Sequence, residues 1–137
     1  MDAEIKEFTE GIGAREPDPS SDAYNVFRTL FKRQNYFFFN SSFMIVKISR
    51  TDKPFWGVGK KFIDFFNKGK ENYYLVLLVS GREGWVFDKH DINYHIEMGY
   101  WKLNPKDDNY KINPPLKDKY SFSTHKQFLE IINAISR

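Results

Sequence analysis

Residues 73–79 read YYLVLLV, a run of strand length without a single charged side chain. Alternation puts successive side chains on opposite faces of a strand, so such a run can only rest where both faces are covered. A chain with this strand at its centre must supply layers to either side of it.

The remaining pattern provides candidates for those layers. Ser20 or Ser21 can cap a helix in which Ala23, Val26, Phe27, Leu30 and Phe31 form one apolar stripe. Residues 57–68 read as a second helix, with Val58, Phe62, Phe65 and Phe66 on one face and Lys60, Lys61, Asp64 and Lys68 on the other. Asp88, with Asp91 three residues on, predicts a capping box for a short helix edged by Ile92 and Ile96. Thr124 and Gln127 open a last helix lined by Phe128, Ile131, Ile132 and Ile135. Strands are expected over 35–40 and 43–49, joined by a turn at Asn40-Ser41-Ser42, and over 85–87. A small hairpin is expected from 100–103 and 110–113. This order predicts an α+β fold, a single mixed β-sheet with packed helices. Residues 1–20, broken by Gly11, Gly13, Pro17 and Pro19, are expected to form an acidic, loosely ordered arm ahead of one domain over 21–137.

Several chemistries find no footing. The chain has no cysteine, which excludes disulfides, thiolate metal sites and a cysteine nucleophile. There is no GxSxG elbow. His90 and His95 lie five residues apart, off a common helix face, and His125 is remote. No catalytic residue, metal or cofactor is therefore expected. No apolar stretch reaches membrane-spanning length, and MDAEIKEFTE is acidic where a targeting peptide would be basic, so a cytoplasmic protein with no membrane partner is expected. Usage rich in Lys, Asn, Ile and Phe fits an AT-rich prokaryotic or viral genome.

Charge is distributed unevenly. Residues 1–22 carry a net −5, residues 23–70 a net +8, and the rest balance. A basic segment of this kind attracts polyanions if the fold gathers it on one face. The candidate nucleic-acid contacts are Lys47, Arg50, Lys53, Trp56, Lys60, Lys61, Arg82 and Trp85. In the stretch Trp56-Gly57-Val58-Gly59-Lys60-Lys61, two glycines lead into the expected helix, whose free N–H groups can hold a phosphate. The GxxxxGK[ST] spacing of a mononucleotide loop is missing. Lys47 interrupts an apolar strand, and its stem is expected to cross apolar surface to reach water or a phosphate. Trp85, three residues after Arg82, could stack a base or anchor a protein partner.

The helix, strand hairpin, crossover helix and buried strand over roughly residues 21–80 resemble the restriction-endonuclease-like superfamily, the PD-(D/E)XK nucleases. Those enzymes hold Mg²⁺ with an Asp and a Glu-x-Lys on successive core strands. The resemblance puts Ile45-Val46-Lys47 at the Glu-x-Lys position and residues 73–79 in the strand after the crossover helix. Ile45 stands where the carboxylate would be, and the nearest residue to the Asp position is Asn40, whose amide is a poor Mg²⁺ ligand. The resemblance therefore implies DNA binding rather than cutting. The expected function is a non-catalytic nucleic-acid-binding domain using residues 23–70. The alternatives are a protein-interaction module or subunit of a larger assembly and, behind it, a metal-dependent nuclease.

Overall fold

The run that begins at Tyr73 lies in the middle of a sheet, where its composition requires it to be. The computed structural model of the chain describes residues 2–16, 20, 35–69 and 72–135. The helix expected over 20–33 falls largely outside them. In chain order the elements are α1 (Ala3–Ile12), β1 (Tyr36–Phe39), β2 (Ser42–Ile48), β3 (Trp56–Gly59), α2 (Lys60–Lys68), β4 (Tyr73–Leu78), β5 (Gly84–Asp88) and α3 (Lys89–Glu97). They continue with β6 (Lys102–Asn104), β7 (Asn109–Ile112), a 3-10 turn at Asp118–Tyr120, β8 (Ser121–Phe122) and α4 (His125–Ile135).

Five strands form one mixed sheet in the order β1-β2-β4-β5-β8, with β2 and β4 parallel and every other pair antiparallel. All of β4 is buried. Register places Ile45, Leu75 and Phe87 side by side on one face, and Val46, Val76 and Val86 on the other. The first face packs under Phe62 and Ile63 of α2, Ile92 of α3, and Trp56, Val58, Tyr110 and Ile112. The second packs under Ile5, Phe8 and Ile12 of α1 and Phe128 and Ile132 of α4. The α+β class expected from the sequence holds.

The β1–β2 hairpin turns at Asn40 and Ser41, both at positive φ (49° and 61°), which is the geometry a two-residue loop needs to match strand twist. The capping box is present as expected. Asp88 Oδ1 accepts from Asp91 N at 2.8 Å, and Asp88 N donates back to Asp91 Oδ2. Thr124 Oγ1 accepts from Gln127 N at 3.0 Å at the start of α4.

Two expectations need correction. The N-terminal segment is not loosely ordered over residues 3–12. It is a helix whose Ile5 and Phe8 are completely buried and whose Ile12 lies beside them. Gly11 is not punctuation either. A Cβ there would fall 2.1 Å from the His125 ring, so the glycine lets α1 pass close to α4. Arg15 then pairs backbone to backbone with Phe38, extending the edge of the sheet. The second correction concerns the helix expected from Gly57. Residues 56–59 are extended and pair with β7, giving a second, three-stranded antiparallel sheet in the order β3-β7-β6. Helix α2 begins only at Lys60, with Gly59 as its N-cap.

Candidate nucleic-acid interface

The side chains singled out from the sequence do not form one stripe; the fold sends them to different places. Arg50, just past β2, pairs with Asp2 at 3.0 Å and with Glu4 of α1. The hydrogen bond from Arg50 holds the Glu4 carboxyl below the ordinary carboxylate range. Arg82, in the turn before β5, lies 3.6 Å from Glu7 of the same helix. Exposed pairs of this kind contribute little stability, but they direct both guanidinium groups at an acidic helix instead of at a ligand. Lys53 is exposed in the loop before β3, where its carbonyl accepts from Thr51 Oγ1 at 2.8 Å.

Trp56, expected among the nucleic-acid contacts, is a core residue with 2% of its surface accessible. Its Nε1 donates to Leu78 O at 3.1 Å, and its ring meets the half-buried Trp85 edge-on at 5.6 Å. Lys47 sits beside Leu77 in the register of β2 and β4, half-buried on the face that β3 covers. Burial pushes its ammonium pKa down.

Lys60 and Lys61 join a different set. Register in the small sheet places Gly57, Lys111 and Lys102 in one row across the strands, and Gly59, Asn109 and Asn104 in the next. The alternate row, Trp56, Val58, Tyr110 and Ile112, is buried. The outer face is therefore flat and polar. Its β3 strip has no side chains, and the Asn109 amide lies alongside it, 3.5–3.6 Å from where a Cβ on either glycine would stand. Two lysines stand directly opposite each other on β6 and β7. Like charges in such a pair repel. Asp107 relieves Lys111 at 2.8 Å, and Lys111 in turn holds the Asp107 carboxyl below its ordinary range. The N-terminus of α2 borders this face, since Lys60 N donates to Asp108 O at 2.9 Å in the β6–β7 turn. That bond uses one of the helix N–H groups expected to be free for phosphate. Lys60 Nζ pairs with Asp64, which raises its pKa. Lys61, Lys102 and Lys106 have no acidic partner among the described residues.

Lys102, Lys111 and the two asparagines were missed because they belong to a segment whose net charge is zero. Alternation within the expected hairpin would have placed them on one face. The glycine strip of β3 could not be placed beside them from local sequence.

At the open end of this hairpin the surface changes character. A cavity of about 390 Å³ is lined by Tyr100 and Trp101, just ahead of β6, by Asn113, just after β7, and by His95 of α3. His95 is buried and stacks on Trp101 with ring centroids 4.8 Å apart. Its Nδ1 lies 2.6 Å from Asp91 O. Lys117 stands at the rim with Nζ 5.5 Å from the Tyr94 ring centroid.

Ile45, at the position of the nuclease carboxylate, is 1% exposed among apolar neighbours. Among the described residues no three His, Asp or Glu side chains gather as a metal-holding group, and no helix is long and apolar enough to cross a membrane. No family model matches the chain, and no curated protein or solved structure matches it either.

Proposed function

We propose that this domain binds nucleic acid through the outer face of its three-stranded sheet, without chemistry on the bound strand. The observation that carries the reading is the opposed pair Lys102 and Lys111, set beside a strip of β3 that has no side chains. A polyanion laid across this face meets the Lys102 ammonium, which has no acidic partner among the described residues, next to Lys111, and the glycines let its backbone approach the sheet closely. Lys61 and Lys106 add positive charge at the turn end of the sheet, where α2 begins. Kinship with the restriction-endonuclease-like superfamily belongs to the same proposal. The mixed sheet with helices on both faces supports it, and the apolar setting of Ile45 speaks for binding over cleavage. The cytoplasmic setting belongs to it too and rests on composition.

Fluorescence anisotropy with labelled single- and double-stranded DNA and RNA, across a salt titration, tests the proposal. Each phosphate contact contributes about 0.9 to the log–log salt slope on duplex DNA and about 0.7 on single strands. Lys61→Ala with Lys102→Ala should flatten the slope and weaken binding of all sequences alike. Absence of binding at low salt would refute it. A second reading, a protein-docking surface, is favoured by the exposure of Met98 (54%) and Tyr100 (55%) beside the cavity. It predicts partner capture that survives high salt and is lost with Met98→Asp.

A further inference from the structure

We infer that the cavity at the open end of the β6–β7 hairpin is a slot for one unpaired nucleobase of a strand whose backbone crosses the lysine row. The inference rests on the binding face proposed above. The cavity and that face are continuous. Trp101 immediately precedes Lys102, and Asn113 follows Lys111 by two residues, a separation of about 7 Å along an extended chain.

The chemistry of the lining selects the occupant. A carbonyl oxygen can only accept, so the 2.6 Å approach of His95 Nδ1 to Asp91 O fixes the proton on Nδ1. In its neutral form the ring then offers Nε2 as an acceptor. Nε2 has no hydrogen-bond partner among the described residues. No side-chain nitrogen or oxygen among them is both sealed from solvent and unpartnered, so Nε2 opens on the cavity that His95 lines. An aliphatic or phenyl group in the slot would bury that lone pair without a donor, at a desolvation cost. A nucleobase presents an N–H on its pairing edge for Nε2 and a flat face for the exposed Tyr100 ring. The Asn113 amide can meet either a donor or an acceptor on the base edge. Lys117 at the rim supplies a cation for the phosphate of the same nucleotide.

The test uses the full chain and two labelled twelve-nucleotide single strands of equal charge, one of mixed sequence and one abasic throughout. Stacking and edge contacts to one base should make the base-bearing strand bind about ten-fold tighter or more. Tyr100→Ala, which removes an exposed ring, and Asn113→Ala should each bring that strand toward the affinity of the abasic one. Lys102→Ala should weaken both strands by the same factor. Equal binding of the two strands by the unaltered protein would overturn the base slot and leave the lysine face standing. If neither strand binds, titration with nucleoside monophosphates followed by NMR separates the two ideas. Shifts of the His95 ring and Trp101 indole signals keep the slot and overturn the face. No shift, or equal shifts with tyrosine amide, overturns the slot.

Discussion

Replacing Phe8 with alanine tests whether α1 belongs to the folded core. The Phe8 ring is completely buried and meets Phe128 at 5.0 Å and Phe122 at 5.6 Å between centroids. A buried Phe→Ala change costs about 3–5 kcal/mol, which includes the cavity left behind. The aromatic pairs add about 0.5–1.5 kcal/mol each beyond area burial, so the upper half of that range is expected. With a urea slope of about 2 kcal/mol per molar, the midpoint should fall by about 2 M. In thermal unfolding the same loss lowers Tm by about 14–17 °C for a chain of 137 residues. Urea unfolding followed by circular dichroism and by tryptophan fluorescence reads the effect, and both signals should move together with an unchanged slope. A loss under about 1 kcal/mol would refute the core assignment. A normal midpoint with a lowered slope would refute it too, because α1 would then unfold apart from the sheet.

Three further outcomes follow from particular contacts. Gly84→Ala places a Cβ 2.2 Å from Leu77 O, so the central β4–β5 pair must shift; a destabilisation of about 2 kcal/mol or more is expected in thermal unfolding, and a neutral effect would show that the pair is not held this closely. Because Arg50 holds the Glu4 pKa below its unfolded value, this carboxylate stabilises the fold above the ordinary carboxylate pKa of about 4.3, and the gain fades as pH falls through the lower folded value; the urea midpoints of Glu4→Gln and unaltered protein should therefore draw together as pH falls below the ordinary carboxylate range, and parallel curves would count against the pair. Burial lowers the Lys47 pKa, so folding opposes its protonation and stability should rise as pH climbs from the lowered folded value toward the ordinary lysine pKa of about 10.4; Lys47→Met should flatten that rise in urea midpoint, and an unchanged rise would refute the burial of this ammonium.

The parts of the fold legible in the sequence were those dictated locally. The apolar run from Tyr73 had to be a central strand whatever surrounded it. The capping box at Asp88 and Asp91 and the turn at Asn40 and Ser41 are each made within a few residues, so short-range chemistry sufficed. The errors came where distant partners decided. Val58 fits a helical stripe with Phe62 and Phe65, yet pairing with β7 draws residues 56–59 into a strand and leaves Phe65 37% exposed. Ile5, Phe8 and Ile12 already stood at helical spacing. Gly11, which reads as a breaker, owes its place to a histidine 114 positions away. The candidate site divided for the same reason. Charge counted along the chain could not foresee that Arg82, outside the basic segment, would join Arg50 against α1, or that two lysines from a neutral segment would stand face to face.

The packing of α1 against α4 sets a condition on how the protein is made. Phe8 is synthesised before Phe128, and 120 positions separate them. At about 5–20 residues per second, the ribosome needs roughly 6–24 s to span that gap. Once Leu78 is added, the face of β2 and β4 that carries Met44, Val46, Tyr74 and Val76 lacks the cover of α4 until Phe128 follows 50 positions later, about 2.5–10 s at that rate. The nascent chain thus carries an apolar sheet surface for seconds before α4 can cover it. Slowing translation late in the message should lengthen that exposure and lower the yield of folded protein without altering the sequence.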